Sequence, residues 1–308
     1  MIARLVDAHH HLWNLDALRY PWLEARGVRR FFGDPSAIQA NYLPADLRAD
    51  AENLPLVASV HVQVGVAPGA ELAETTWLHA QAQRTGLPSV IVSYCDLAAV
   101  DAQTCLDRQQ TFARVRAIRQ IVGREPSDDL RTGCARVLDD LTWRANMRSL
   151  SARGLAFDLQ LTPVQHKKIA AILAAMPELA VAICHCGSPC DQSRAGLASW
   201  REGMQRLAEL PRSVCKISGF GMFDPNWTRA SIQPIFETCV ELFGAHRCMF
   251  GSNFPVEKLA HGYRSLFAEV AAITAILTSA EREEIFSGTA IRFYRIEASA
   301  FAPSSKNC

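Results

Sequence analysis

Short apolar, β-branched segments alternate with longer amphipathic segments along almost the whole chain. Segments such as VASVHVQV (57–64) and LAVAICHC (179–186) are typical of buried strands, whereas 71–85 and 197–210 have helical spacing. Strand-like segments begin near positions 4, 57, 90, 115, 155, 179, 214 and 247, each followed by a helix or a long loop. Parallel βα units joined by right-handed crossovers explain this alternation. We therefore predict an α/β fold, a single-domain (β/α)8 TIM barrel.

The barrel domain is expected to cover residues 1–298, followed by a flexible tail at 299–308. An irregular arm at 14–50 interrupts the alternation and is rich in aromatic residues. A connection of this length inside a compact domain is usually functional, so we interpret the arm as a lid or binding loop. A plug over the edge of the core is an equal alternative.

Polar side chains recur near the ends of the predicted strands, which is where barrel enzymes build their active sites. They are His9 and His11, His61 and Gln63, Arg119, Asp158 and Gln160, His185, Lys216 and Asn253. Random polar interruptions would not fall so regularly, so the pattern predicts a site at one end of the barrel.

The opening segment LVDAHHHLW predicts a strand whose Asp7, His9 and His11 point to one face. Two imidazoles on one strand face can hold one metal ion or one substrate oxygen. His185 ends another predicted strand and would supply a third imidazole, and three imidazoles with an open position suit catalytic zinc. The alternatives are a surface histidine cluster and a core histidine at 185.

Other candidates suit a small anionic substrate. Arg119 could grip a carboxylate, or could form a salt bridge, for instance with Asp158. Lys216 must pair with an acid or face the pocket, because an unpaired buried charge is costly. His61 and Gln63 would orient a substrate carbonyl or a neighbouring imidazole, and Trp13 would wall the pocket.

Composition excludes several classes of protein. The net charge of +1 gives no electrostatic reason to bind nucleic acid or an anionic membrane, and no apolar run approaches the ~20 residues of a membrane span. The ten cysteines form no short framework in a chain of 308 residues, which favours a reducing cytoplasm. We expect a cytoplasmic protein with a small-molecule substrate; a homodimer remains open.

Several motifs, taken together and in order, resemble a known family. They are Asp-Ala-His-His-His-Leu-Trp at 7–13, Val62-Gln63, Arg119, Phe157-Asp158-Leu159, His185-Cys186-Gly187-Ser188-Pro189, Lys216-Ile217-Ser218-Gly219 and Met249–Val256. The set is similar to the amidohydrolase-related (amidohydrolase 2) TIM-barrel hydrolases, in the subgroup of sugar-acid lactonases and 2-pyrone-4,6-dicarboxylate lactonase. The resemblance implies hydrolysis of a lactone that carries carboxylate or hydroxyl groups. Some members of such families use a divalent metal such as zinc and others use none.

Asn253 departs from the family pattern, in which an Asp at this position activates water or binds metal. An amide cannot accept a proton at neutral pH and is a weaker metal ligand. Either His185 or Asp158 is the base, or Asn253 positions the water or the carbonyl while imidazoles move the proton, or the protein only binds its ligand. We favour the first two, with His185 as proton shuttle, His9 and His11 stabilising the oxyanion, and His9, His11 and His185 as ligands of any metal. A metal-dependent, non-oxidative decarboxylase is the alternative enzyme.

Overall fold

A computed structural model of the chain describes residues 2–123 and 134–297. Within them, eight parallel strands form one sheet in chain order, with each strand paired to the next. The strands are β1 (Leu5–His10), β2 (Leu56–Val62), β3 (Val90–Ser93), β4 (Val115–Ile121), β5 (Ala156–Gln160), β6 (Val181–Ile183), β7 (Ser213–Ile217) and β8 (Cys248–Phe250). The predicted single-domain TIM barrel is confirmed.

The ring closes where the loop after β8 hydrogen-bonds the carboxyl end of β1. Asn253 N donates to His9 O at 2.6 Å, and His11 N donates to Phe254 O at 2.7 Å. Small and β-branched side chains fill the barrel interior because alternate residues of every strand point inward. These side chains include Val6, Ala8, Ala58, Val60, Val62, Val92, Ala117, Ala156, Ala182 and Val214.

Helices follow the strands in the described part of the chain. They are α1 (Pro21–Glu24), α2 (Pro44–Asp50), α3 (Glu71–Thr85), α4 (Ala102–Gln110), α5 (Leu141–Ala152), α6 (Pro163–Ala174), α7 (Arg194–Ala208), α8 (Arg229–Phe243), α9 (Tyr263–Ile273), α10 (Ser279–Glu283) and α11 (Thr289–Tyr294). The predicted helix 71–85 is confirmed to the residue. The last helix, α11, packs Ala290 and Tyr294 against the interior side chains, so it covers the amino-terminal end of the barrel.

Several strands are shorter than their apolar segments. The segment 179–186 is strand only over Val181–Ile183, because His185 and Cys186 have left-handed backbone angles, with φ of 55° and 52°. A hydrophobic segment indicates which residues are buried but not where a strand ends. His185 and Cys186 are buried although they follow the end of β6.

The arm at 14–50 contains α1, α2 and a short turn at Ser36–Ile38. Trp13 immediately precedes the arm: its indole Nε1 donates to Ala40 O at 2.6 Å, and its backbone pairs with that of Tyr42. Trp13 is fully buried and does not line the active-site cavity described below, so its predicted role as a pocket wall is not what the structure shows. It anchors the arm instead.

Among residues 2–123 and 134–297, none of the helices has the length and apolar character needed to cross a bilayer. The tail predicted at 299–308 lies outside the described residues.

Candidate active site

Three imidazoles from two distant strands meet at the carboxyl end of the barrel. The ring centroid of His9 lies 5.1 Å from that of His11 and 4.4 Å from that of His185. His185 is 176 positions away in the chain, so only barrel closure brings it to β1. The cluster predicted from the sequence therefore exists.

Two glycines make room for this cluster. A Cβ at Gly219 would lie 2.5 Å from His185 Nδ1, and a Cβ at Gly251 would lie 2.7 Å from His9 Cβ. Both separations are below van der Waals contact, so any larger residue would displace an imidazole. Gly219 also has a positive φ of 73°, a conformation that glycine adopts without strain.

Asp7 does not join the imidazoles, although strict alternation predicts it on the same face. The pairing of β1 with β2 is irregular between Asp7 and His10. The Asp7 carboxylate accepts hydrogen bonds from Ser252 N at 2.9 Å, Ser252 Oγ at 2.6 Å and Tyr263 OH at 3.0 Å. It thereby fastens β1 to the loop after β8.

Neighbouring groups fix the tautomers of the first-strand histidines. His11 Nδ1 lies 2.7 Å from Val62 O, and a carbonyl only accepts, so the proton of His11 is on Nδ1. His9 Nδ1 lies 3.5 Å from Lys216 Nζ, and an ammonium only donates, so neutral His9 carries its proton on Nε2. His185 Nδ1 lies 3.0 Å from Ser218 Oγ, a hydroxyl that can either donate or accept.

All three imidazoles are neutral at pH 7. Burial, reinforced by the charge of Lys216, holds the pKa of His9 well below its usual value. Burial and Arg119 lower the pKa of His11 to about 3, although hydrogen bonds with Val62 and Asn253 oppose the shift. Burial and Arg119 also hold the pKa of His185 well below its usual value. A neutral imidazole can accept a proton, as a general base must.

Asn253 sits in the left-handed region, with a φ of 56°, which asparagine tolerates better than most residues. Its backbone is tied at both ends, because its N–H donates to His9 O and its carbonyl accepts from Glu257 N at 3.0 Å. In the described part of the chain, its side-chain Nδ2 is buried without a hydrogen-bond partner. Asn253 also lines the active-site cavity, so its side chain borders the space that a ligand would fill.

A cavity of about 840 Å³ opens above the cluster, within the usual size range of small-molecule sites. His11, His185 and Asn253 form its inner wall, whereas His9 lies behind them and is fully buried. The other predicted residues that line it are Gln63, Arg119 and Gln160.

The acceptors that hold Arg119 in place include Gln63 and Gln160. Its guanidinium donates to Gln63 O at 3.2 Å and to Gln160 Oε1. The suggested salt bridge with Asp158 is not formed, because that carboxylate pairs with Lys216. Arg119 therefore presents an oriented cation to the cavity.

Lys216 pairs with an acid, Asp158, which is one of the two alternatives predicted for it; both side chains lie inside the barrel and neither lines the cavity, so neither is placed to contact substrate. Lys216 Nζ lies 2.6 Å from Asp158 Oδ2 and donates to Ala8 O at 2.8 Å. The hydroxyl of Tyr294 donates to the same carboxylate at 2.8 Å. Because Lys216 also reaches His9, the pair acts on the site by orienting that ring.

His61 is likewise buried and not at the cavity, so the prediction that it binds substrate is revised. Its Nδ1 accepts a hydrogen bond from Leu12 N at 3.0 Å. This contact satisfies the backbone where the chain leaves β1, and it leaves His61 a structural role.

The arm supplies cavity residues that the sequence did not single out as site residues. Trp22, Arg30, Phe31 and Phe32 line the same cavity as His11 and His185. The aromatic content of the arm was a signal, but nothing in the sequence shows which of its residues turn inward. Glu71, at the start of α3, and Tyr94 and Asp96, in the loop after β3, add polar groups.

The donor set does not fit a zinc ion in this arrangement. His9 directs an N–H from Nε2, the His11 ring is hydrogen-bonded to Val62 O and to the Asn253 side chain, and position 253 supplies an amide in place of a carboxylate. In the described residues, no group of three or more His, Cys, Asp or Glu side chains is arranged as a ligand set. We therefore derive no chemical step through a metal.

Comparison with known proteins places the chain in a family. The sequence model of one family, described as amidohydrolase, matches residues 6–296. The chain belongs to the amidohydrolase family. The family resemblance read from the motifs is thus confirmed, and with it the assignment to the hydrolases.

Three relatives show how far the likeness extends. The chain is 37% identical over 294 residues to the protein y4mH of Sinorhizobium fredii, covering 95% of this chain and 98% of the relative. It is 29% identical over 320 residues to an L-fucono-1,5-lactonase of Burkholderia multivorans, covering 98% and 99%. A crystal structure of an amidohydrolase from Burkholderia multivorans with bound zinc superimposes with a TM-score of 0.81 at 26% identity, covering 96% and 100%.

Proposed function

We propose that this amidohydrolase opens a small lactone by attack of water on the ring carbonyl. The observation that carries the proposal is that His185 and Asn253 line the same cavity at the carboxyl end of the barrel. The first is a base for water and the second a donor for the carbonyl oxygen. The similarity to an L-fucono-1,5-lactonase supports the same reaction.

In the proposed reaction, Nε2 of His185 takes a proton from water as its oxygen bonds to the carbonyl carbon. The charge that develops on the carbonyl oxygen is stabilised by the Asn253 amide, and such donors typically contribute about 10²–10³ in rate. The ring C–O bond then breaks, and the imidazolium of His185 returns the proton to the leaving alkoxide. The product is the open hydroxy acid.

His9 and His11 have supporting roles in this proposal. His11 lies at the cavity wall and hydrogen-bonds the Asn253 side chain, so it holds that amide in place. His9 packs against His185 and keeps that ring in place. In this scheme each proton moves between water, His185 and the leaving oxygen.

The cavity suits a substrate that carries hydroxyl or carboxylate groups. Arg119 can bind a carboxylate, whereas Gln63, Glu71 and Asp96 can bind hydroxyl groups. We propose a sugar-acid lactone or a pyrone carboxylate. The buried cysteines 95, 184, 186, 215, 239 and 248 are free thiols, which supports the proposal that the protein acts in the reducing cytoplasm.

The test is acid release from a panel of aldonolactones and pyrone carboxylates. We expect turnover of at least one lactone, and a loss of about 10²–10⁴ in kcat for His185→Asn. His79→Asn, on α3 and outside the cavity, is the matched control and should keep full activity. A His185→Asn enzyme that retains wild-type kcat would remove the proposed base. Thermal-shift binding without turnover across the panel would favour a ligand-binding protein.

The Asn253→Asp variant tests whether position 253 acts as a hydrogen-bond donor or as a general base. A carboxylate lacks the N–H and repels the oxyanion, so we expect kcat to fall by about 10²-fold. An increase in kcat would mean that Asn253 is a weakened base and not a donor, and the mechanism would have to change.

A further inference from the structure

A second cavity, of about 430 Å³, opens at the other end of the barrel. Its walls come from the amino-terminal ends of β5 and β7, from the residue preceding β6 and from α11. The active-site cavity lies at the carboxyl ends of the strands, so the two cavities are separated by the barrel interior. The second cavity is not used by the proposed hydrolysis.

Positive charge dominates this cavity. Its lining contains the arginines 212, 247, 292 and 295, but of the acidic residues only Glu178 in the described part of the chain. The whole protein has a net charge of +1, so the concentration of arginines is local and does not reflect composition.

Two of the arginines are already committed to the fold. Arg247 donates to Ala208 O and to Phe243 O, both at 2.8 Å, and so satisfies carbonyls at helix ends. Arg292 pairs with Glu284 at 2.6 Å. Neither guanidinium is wholly available to a ligand.

The other two have donors to spare. Arg295 uses one nitrogen, Nη2, to donate to Gly154 O at 2.7 Å. Arg212 is exposed and makes no side-chain hydrogen bond or ion pair with the described residues. Burial and the charges of Arg116 and Arg212 lower the pKa of Arg295. These guanidinium groups therefore repel one another, and an anion between them would relieve the repulsion.

We propose that this cavity is a binding site for a small, multiply charged oxyanion of the phosphate type, held by Arg212 and Arg295. Planar guanidinium groups bind phosphate oxygens in pairs, and the binding of a dianion between two of them is charge-assisted. The cavity is larger than one ion needs, and Phe293 and Leu155 give it an apolar wall. A phosphate ester with a short organic part would fit this combination.

The test is isothermal titration with inorganic phosphate, pyrophosphate and glycerol phosphate in low-salt buffer free of phosphate. We expect saturable binding, tightest for pyrophosphate. Arg212→Ala/Arg295→Ala should weaken it by about tenfold or more, because charge-assisted contacts are lost. Arg148→Ala/Arg264→Ala removes the same charge from exposed positions outside the cavity and should leave the affinity unchanged.

Three outcomes would overturn the proposal. They are absence of saturable binding, an equal loss of affinity in the control double variant, and tighter binding of citrate than of pyrophosphate. Arg212→Ala alone breaks no hydrogen bond of the fold, so it keeps the test decisive if the double variant folds poorly. Because none of these residues lines the active-site cavity, lactone turnover by every variant reports folding separately from anion binding.

Discussion

The ammonium of Lys216 lies 2.6 Å from the carboxylate of Asp158 inside the barrel, and neither side chain is exposed to solvent. The phenol of Tyr294 completes the carboxylate's shell, and Ala8 O accepts a further hydrogen bond from the ammonium. Removing one member of such a pair leaves an uncompensated buried charge, whereas removing both charges does not.

We therefore expect Lys216→Met to destabilise the protein by about 3–5 kcal/mol in urea unfolding. Asp158→Asn/Lys216→Met, which leaves neither charge, should cost clearly less than Lys216→Met alone. Lys168→Met breaks an exposed pair with Asp139 and should cost about 1 kcal/mol or less. Equal costs for the single and double variants would show that the buried charge is not the cause.

Metal removal tests the conclusion that the residues of the active site do not fit a zinc ion. The Nε2 proton of His9 and the amide at 253 leave too few ligands for a tight zinc site. We expect the purified protein to contain far less than one equivalent of zinc by elemental analysis, and dialysis against a chelator to leave kcat unchanged. A chelator-sensitive activity restored by zinc would mean that Lys216 and His9 rearrange around a metal ion.

Arg119 tests which substrate group the cavity selects. Lysine keeps the charge but loses the fork of donors, so Arg119→Lys should raise KM for a lactone with a carboxylate by roughly tenfold. A neutral aldonolactone should be affected much less. Arg116→Lys, on the same strand but paired with Glu297 away from the cavity, is the control. Equal effects on both substrates would assign Arg119 to structure and not to specificity.

The sequence identified the strands, the barrel and the imidazole cluster because each depends on local pattern and on which strand end carries a polar residue. It did not show which polar residues line the cavity and which are buried deeper inside the barrel. Asp158 and Gln160 alternate on one face, yet Asp158 pairs inside the barrel while Gln160 reaches the cavity. That difference is one of depth along the strand. Tyr294 reaches Asp158 from the last helix, across 136 positions, with no local signal.

Glu74 gives the folded protein a specific pH dependence. It lies on α3, fully buried against Tyr20 of the arm, and Val64 N donates to its carboxylate at 3.3 Å. Burial raises its pKa to about 8, from the usual 4.5, with hydrogen bonds opposing the shift in part. The folded state therefore binds a proton between pH 4.5 and 8 that the unfolded state releases. The protonated Glu74 side chain contributes its full share of the free energy of unfolding below the unfolded-state pKa of 4.5. This contribution is lost as the pH rises toward the folded-state pKa of about 8.

Glu74→Gln keeps the shape and a hydrogen-bond acceptor but cannot ionise. We expect the variant to gain stability relative to the wild type as the pH rises, by at most ~1.4 kcal/mol per pH unit. Urea unfolding at pH 5.5 and pH 8 measures the difference, with Glu202→Gln on the exposed face of α7 as the matched control. A difference between Glu74→Gln and wild type that does not change with pH would show that Glu74 is ionised in the folded protein. In that case the arm would pack, through Tyr20, against a buried negative charge.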